Sequence, residues 1–149
     1  MDVMLWLEWR ARQPLLFDTA RAHLILLAFC SVLALVDKTQ LTGVNRWIKP
    51  IKFCASVGIY LASMAWFWPV AVASAEAKQW AAQVLAWTML LEIAWIIGQA
   101  KRGVRSHFNT ETTMDGILFQ LAGLVIFVNV GAAAVVCWWT FAAEPSDRK

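Results

Sequence analysis

A polar stretch between two long apolar runs holds the side chains of this sequence that are best suited to chemistry. Residues 99–109 contain three cations, a histidine, a serine and an asparagine, and Glu92 lies inside the apolar run before them. Glutamate and histidine can transfer protons, and clustered cations bind carboxylates and phosphates. The stretch therefore indicates a site for anion binding, proton transfer or both, with Glu92 and His107 as candidate catalytic residues.

Glu92 is the most informative single residue of this stretch. An ionisable side chain near the centre of a bilayer costs about 2.5–3.5 kcal/mol on insertion scales, so it usually faces protein or water and has a function. The alternative is a protonated carboxyl group that only hydrogen-bonds across helices. His107 also has two interpretations, as an acid or base and as a loop histidine that only hydrogen-bonds.

Helical spacing predicts two polar stripes that extend from one membrane face towards the bilayer centre. Lys52, Ser56 and Tyr60 recur every four residues, and Glu92 and Gln99 share a stripe on the next apolar segment. At a rise of 1.5 Å per residue, Tyr60 and Glu92 lie at the same depth, about 13 Å below the membrane face that carries the basic residues. The candidate ligand-binding residues are Lys49, Lys52, Ser56, Tyr60, Trp95, Gln99, Arg102, Arg105, Ser106, Asn109, Asp115 and Gln120.

The composition predicts the class of protein that carries these residues. Hydrophobic residues make up 60% of the 149 residues and charged residues 15%, against about 45–50% and 25% in soluble domains. Four runs approach the roughly 20 apolar residues that span a bilayer, and they are too long for barrel strands. We therefore predict one all-α domain over residues 1–149, a four-helix transmembrane bundle with spans at about 19–36, 50–72, 79–100 and 114–142. Residues 1–13 are amphipathic and too short to span, which predicts an interfacial N-terminal helix.

Charge and cysteine usage exclude several other classes. The formal net charge is +3 with basic residues concentrated in loops, which indicates membrane topology and lipid head groups and not nucleic acid. His23 and His107 lie near opposite faces, about 20 Å or more apart by helix rise, so they cannot share one haem. The cysteines lack metal-site spacing and are interpreted as packing residues. No metal site is predicted, and the sequence leaves any cofactor unknown.

The number of spans sets the expected topology. Four spans place both termini on one side, where tryptophans gather as in an interfacial belt, and the basic residues weakly favour cytoplasmic polar loops. Gly116 and Gly123, with Gln120 between them, form a small-residue face of the last span. Such faces allow close helix packing, so a homo-oligomer is an open prediction.

Two motifs carry a resemblance to a known family. Trp47-Ile-Lys-Pro-Ile-Lys-Phe53, with Tyr60 and Trp66 downstream, and the stretch Gln99–Asn109 resemble a group of small bacterial four-helix membrane proteins. The resemblance covers about residues 40–130, and it implies the fold and a bacterial cytoplasmic membrane but no activity. The tryptophan-rich sensory proteins, which bind porphyrin and sterol-like ligands, share the high tryptophan content but have five helices. The glutathione-linked eicosanoid enzymes share the four helices, but their signature is missing here.

Three functions follow from these observations. The first is a site open to the polar-loop face that binds an amphipathic or anionic small molecule such as a lipid, isoprenoid, quinone or tetrapyrrole. If the site also transforms its ligand, Glu92 or His107 moves a proton and Tyr60 orients the substrate. The second is a small proton-coupled transporter or channel that uses Glu92. The third is a structural subunit of a larger membrane complex.

Overall fold

The computed structural model describes residues 3–142 and confirms the predicted all-helical bundle. Residues 1–2 and 143–149, which the predicted single domain includes, lie outside the described part. Four of the helices, α2 to α5, are long and apolar enough to cross a membrane, as expected of a multi-pass membrane protein. In chain order the described elements are α1 (Val3–Arg12), α2 (Pro14–Val36), β1 (Gln40–Leu41), β2 (Val44–Asn45), α3 (Ile48–Phe67), a 3-10 turn (Trp68–Val70), α4 (Ala75–Arg102) and α5 (Thr113–Phe141).

Two helices begin earlier than their apolar runs predicted, because polar residues cap them. The predicted first span began at about residue 19, but α2 begins at Pro14, where proline suits the first helical position. The side chain of Gln13 accepts a hydrogen bond from the Leu15 amide at 3.3 Å. The predicted third span began at about residue 79, but α4 begins at Ala75, because the Ser74 hydroxyl accepts the amide of the third residue, Ala77.

The bundle has two distinct ends. One end contains α1, the starts of α2 and α4, and the ends of α3 and α5, and we call it the terminal end. We call the loop end the one that contains the β1–β2 hairpin, the start of α3, and residues 103–112 between α4 and α5. Along the bundle α2 packs mainly against α3, and α4 mainly against α5, with sparser contact between these two pairs.

The main hydrophobic core lies towards the terminal end. Leu61 and Leu85 are fully buried there among residues from α2, α3, α4 and α5. At the loop end the buried apolar clusters are smaller, one around Cys30 and Trp47 and one around Cys54. The terminal end therefore supplies most of the apolar packing, and the loop end is the less filled part of the bundle.

The hairpin at the loop end was not predicted from the sequence. Thr42 and Gly43 both have positive φ, 54° and 80°, which is the backbone of the two-residue turn that matches the twist of paired strands. Asp37 fixes the hairpin to the end of α2: its carboxylate accepts hydrogen bonds from the Arg46 Nε at 2.7 Å and the Trp47 Nε1 at 2.8 Å. Hydrogen bonds from Thr39, then Trp47 and Arg46, hold the pKa of Asp37 well below its ordinary value.

Candidate functional site

A cavity of about 620 Å³ opens at the loop end between the hairpin, the start of α3, the end of α4 and the α4–α5 loop. Its charged lining is entirely basic, and no aspartate or glutamate lines it. Its apolar wall includes Leu41, Val44, Ile48, Phe53, Ile96 and Phe108. The basic lining consists of Arg46, Lys49, Lys52 and Arg105, together with His107.

The α4–α5 loop folds back along α4, which brings the half-buried His107 closer to the bilayer centre than the sequence predicted. Gly103, with φ of 73°, ends α4 in the left-handed conformation that favours glycine. Trp95 then donates its indole N–H to the Ser106 carbonyl at 2.9 Å. Because Trp95 lies seven residues before Arg102, the loop reaches about 10 Å back along α4. Irregular backbone at such depth is tolerated where protein or a water-filled cavity covers it.

His107 is the centre of the polar contacts at the bottom of this loop. Its Nε2 lies 3.2 Å from Glu92 Oε1. Its Nδ1 lies 3.0 Å from Lys49 Nζ and 3.1 Å from Ser106 Oγ. The structure thus brings the two predicted proton-transfer residues together, and it adds a lysine and a serine on the other side of the imidazole ring.

Three buried polar atoms near this loop lack a hydrogen-bond partner among the described residues: Glu92 Oε1, Gln99 Nε2 and Asn109 Nδ2. Glu92 is 1% exposed, and its short contact with His107 does not have the alignment of a hydrogen bond. Buried polar groups are nearly always paired, so unpaired groups point to a water, ion or ligand at the site. The unpaired Glu92 oxygen therefore lies where a further partner is needed.

Arg102 and Asp115 belong to a separate polar cluster. Arg102 Nη1 donates to Gln99 Oε1 at 2.7 Å and to Asp115 Oδ1 at 3.1 Å. Thr112 caps α5 by accepting the Asp115 amide at 3.1 Å. None of these four residues lines the cavity. The charges of Arg102 and Asp115, which the sequence suggested as ligand-binding residues, thus pair with each other and join the end of α4 to the start of α5.

Tyr60 is also placed elsewhere than the sequence predicted. Its hydroxyl donates to Asn129 Oδ1 at 3.1 Å, and it lines a second, mainly apolar cavity of about 390 Å³ between α3 and α5. The predicted pairing of Tyr60 with Glu92 at equal depth is not seen. Ser56 is exposed and donates to the Lys52 carbonyl one turn earlier at 2.7 Å, a local contact that leaves it outside the site.

The small-residue face of α5 also points away from the rest of the chain. Gln120 is exposed, and a side chain built at Gly116 or Gly123 would meet no atom within 4 Å. These residues therefore do not contribute to the cavity, and the predicted homo-oligomer remains a prediction. Sequence reasoning also missed Arg46 and Phe108 as lining residues, because the hairpin and the folded-back loop that position them have no periodic signal.

The fold and the cavity together describe a multi-pass helical membrane protein with a basic, partly apolar cavity at one end. Comparison of the chain with protein-family models, with curated proteins and with solved structures found no match in any of the three. The family resemblance of Trp47–Phe53 and Gln99–Asn109 therefore remains a prediction, as does the bacterial cytoplasmic membrane that it implies.

Proposed function

We propose that the loop-end cavity binds an amphipathic small molecule with an anionic head group. The observation that carries this proposal is the lining, which combines four cations with an apolar wall and contains no carboxylate. Cations attract carboxylate and phosphate groups through charge-assisted hydrogen bonds. The volume of about 620 Å³ falls within the roughly 300–1,000 Å³ of small-molecule sites.

The lack of carboxylate partners for most of these cations supports an anionic ligand. Arg46 is held by Asp37 at the hairpin. Lys49, Lys52 and Arg105 have no carboxylate within ion-pair distance among residues 3–142. Three unpaired cations around one cavity at the end of a transmembrane bundle repel each other, and an anion that enters the cavity relieves this repulsion.

The apolar wall supports a ligand that carries an apolar tail beside its anionic head group. Phe53, Ile96 and Phe108 come from three different elements and line the same cavity as the cations. An acidic lipid or an isoprenoid phosphate presents both surfaces, whereas an uncharged quinone leaves the cations unpaired. We therefore favour ligands whose head group is a carboxylate or phosphate over the neutral ligands that the sequence also allowed.

Proton-coupled transport is the second candidate function, and one observation favours it. Glu92 is almost fully buried within a membrane-spanning helix and lies 3.2 Å from His107. Titratable groups in such positions often form proton relays in transporters. Proton-coupled flux in liposomes that contain the protein tests this function separately from anion binding.

The experiment measures binding to the purified protein in nanodiscs of zwitterionic lipid, with octanoate, octyl phosphate and octanol as probes. We expect octanoate or octyl phosphate to bind and octanol to bind much more weakly, because only the first two present an anion. The carboxylate and phosphate arms distinguish the two head-group classes. Lys52→Gln and Arg105→Gln should each weaken binding by on the order of 1.5–3 kcal/mol, the value of a lost charged hydrogen bond.

The matched control is Lys101→Gln. Lys101 is an exposed cation at the same end of the molecule, and it does not line the cavity. We expect this variant to bind like the wild type. Equal binding of octanol and the two anions, or an equal loss in Lys101→Gln, would show that the cavity cations do not select the ligand. The cations would then serve only membrane topology.

A further inference from the structure

The contacts of His107 define where its proton lies when the cavity holds no anion. A neutral imidazole has one N–H donor and one acceptor nitrogen. Lys49, as an ammonium group, has only donors, so its Nζ at 3.0 Å requires His107 Nδ1 to accept. The proton of a neutral His107 is then on Nε2, the nitrogen 3.2 Å from Glu92 Oε1. The acceptor nitrogen therefore faces Lys49, which itself lines the cavity.

A bound anion changes the partner of Lys49. The ammonium group that donates to His107 is also one of the cations available to a head group in the cavity. When Lys49 turns towards an anion, Nδ1 of His107 loses the ammonium donor and keeps the Ser106 hydroxyl at 3.1 Å as its neighbour. His107 lines the same cavity, so a proton on Nδ1 lets the imidazolium donate a charge-assisted hydrogen bond to the anion.

We propose that the cavity takes up one proton with each anion it binds, and that His107 receives this proton at Nδ1. The inference rests on the proposed anion-binding function. The one bond formed is Nδ1–H, with its proton from solvent. Nδ1–H donates to the bound anion or to Ser106 Oγ, and the other proton stays on Nε2, 3.2 Å from Glu92 Oε1. The anion supplies the negative charge that compensates the added positive charge, so the site gains a proton without gaining net charge.

The groups that face His107 determine whether it can hold the proton. The positive charge of Lys49 on α3 disfavours protonation of His107. Lys52 and Arg105 line the same cavity and disfavour it at longer range. Glu92 on α4 favours it, and the neighbouring Phe119 on α5 is uncharged. Without an anion the cations outnumber the one carboxylate, and with an anion the balance moves towards protonation.

Glu92 is the positioning residue of this arrangement. Its Oε1 is buried and lacks an aligned hydrogen bond among the described residues, so it has capacity to accept a stronger one. An imidazolium N–H forms a shorter, stronger bond to a carboxylate than a neutral imidazole does. Glu92 is therefore placed to stabilise the charged form of His107.

The test uses octanesulfonate, an amphipathic anion whose head group does not titrate near neutral pH. Calorimetric titrations of the full-length protein in nanodiscs, in two buffers of different ionisation enthalpy, give the number of protons taken up. We expect up to one proton per octanesulfonate. Because the bound state holds more protons, affinity should fall as pH rises, by up to about tenfold per pH unit within the range of about pH 5 to 8 in which imidazoles titrate.

Two variants assign the proton. His107→Gln keeps a polar side chain that cannot titrate, so proton uptake should be lost and the affinity should no longer vary with pH. Glu92→Gln keeps the shape but removes the carboxylate, so uptake should appear only at lower pH. If Glu92→Gln does not fold, the His107→Gln comparison still decides. The control is Lys101→Gln, which should retain the uptake of the wild type.

The outcomes separate this inference from the proposed function. Binding of octanesulfonate with the same affinity at every pH, and with equal heats in both buffers, would overturn proton uptake and leave anion binding intact. Undiminished uptake in His107→Gln would also overturn it, because the proton would then go elsewhere. No binding of octanesulfonate, octanoate or octyl phosphate at any pH would overturn the proposed function and this inference with it.

Discussion

The two ends of the bundle use basic side chains in different ways. At the terminal end, cations donate to carbonyl groups around the end of α3, where the helix leaves some of its carbonyls without partners in the next turn. Arg12 donates to the Trp66 carbonyl at 3.0 Å and its guanidinium stacks over the Trp66 ring at 3.9 Å. Lys78 donates to the carbonyls of Trp68 and Ala71 at 3.1 and 2.9 Å. These cations therefore stabilise the fold at that end by pairing with backbone carbonyl groups.

At the loop end, Arg46 pairs with Asp37 and donates to the Lys101 carbonyl at 3.3 Å, but the other three cations around the cavity have no comparable partners among the described residues. Within the described chain, the side chain of Lys49 makes its polar contact with the imidazole of His107, and Lys52 and Arg105 make no ion pair. The difference shows that a count of basic residues near a membrane face does not reveal their role. The partners of each cation distinguish them: Arg12 and Lys78 donate to carbonyl groups of the protein, whereas Lys52 and Arg105 line an open cavity.

The largest expected effect tests whether the terminal end supplies the stability of the fold. Leu61 is 0% exposed within the main core, so Leu61→Ala should lower the free energy of unfolding by about 2–5 kcal/mol through lost contacts and a cavity. Val104→Ala, in the lining of the loop-end cavity, should cost much less because an open space already adjoins it. The measurement is reversible unfolding in mixed detergent micelles.

A lipid-facing leucine provides the control for this pair. Leu91 is 59% exposed on α4, so Leu91→Ala should change the unfolding free energy far less than Leu61→Ala. If Leu61→Ala and Val104→Ala destabilised the protein equally, the two ends would share the packing, and the contrast between them would be wrong.

The next largest effect compares two lysines directly. Lys78→Met keeps the apolar stem but removes two charge-assisted hydrogen bonds to carbonyls, so stability should fall by on the order of 1–3 kcal/mol. Octanoate binding should not change. Lys52→Gln should do the reverse, weakening octanoate binding while the unfolding free energy stays close to that of the wild type. Both variants need both measurements.

The lysine comparison has a clear contrary result. A stability loss in Lys52→Gln as large as that in Lys78→Met would mean that Lys52 serves the fold. A loss of octanoate binding in Lys78→Met would mean that the terminal end controls the cavity. Either result would contradict the hypothesis that cations at the terminal end stabilise the fold and cations at the loop end bind a ligand.

Much of the fold follows from the sequence because its signals are local. Long apolar runs predict the four spans, and their bounds differ from the structure by a few residues at the capped starts of α2 and α4 and at the end of α3. There the predicted span ran to about residue 72, but α3 ends at Phe67 and the 3-10 turn follows. The short amphipathic segment becomes α1. The hairpin was missed because two strands of two residues are too short for a periodic pattern, although Gly43 marks a turn.

The site was predicted less well because its geometry is not local. Glu92 and His107 were chosen for their chemistry, but the depth count assumed that the α4–α5 loop stays at the surface. The Trp95–Ser106 hydrogen bond, which holds the loop inside the bundle, has no signature in sequence spacing. The depth count also assumed that α3 and α4 reach the membrane face at the same level, and it therefore placed Tyr60 beside Glu92. In the structure, the hydroxyl of Tyr60 donates to Asn129.

The smallest expected effect concerns this polar contact in the middle of the bundle. Tyr60 on α3 donates to Asn129 Oδ1 on α5, and Asn129 Nδ2 donates to Thr88 Oγ1 on α4 at 2.7 Å. The network therefore joins three helices between the two ends. Hydrogen bonds of this kind within membranes contribute on average only about 0.6 kcal/mol, so Tyr60→Phe should lower the unfolding free energy by about that amount.

A double-mutant cycle isolates the bond from other effects of the substitution. Tyr60→Phe should cost nothing further in an Asn129→Leu background, because its acceptor is already gone. Octanoate binding should be the same in Tyr60→Phe as in the wild type, because Tyr60 lines the second cavity and not the basic one. Reduced binding would show that Tyr60 orients the ligand, as its spacing from Lys52 first suggested. The polar network would then connect the two ends functionally, and the terminal end could no longer be treated as scaffold alone.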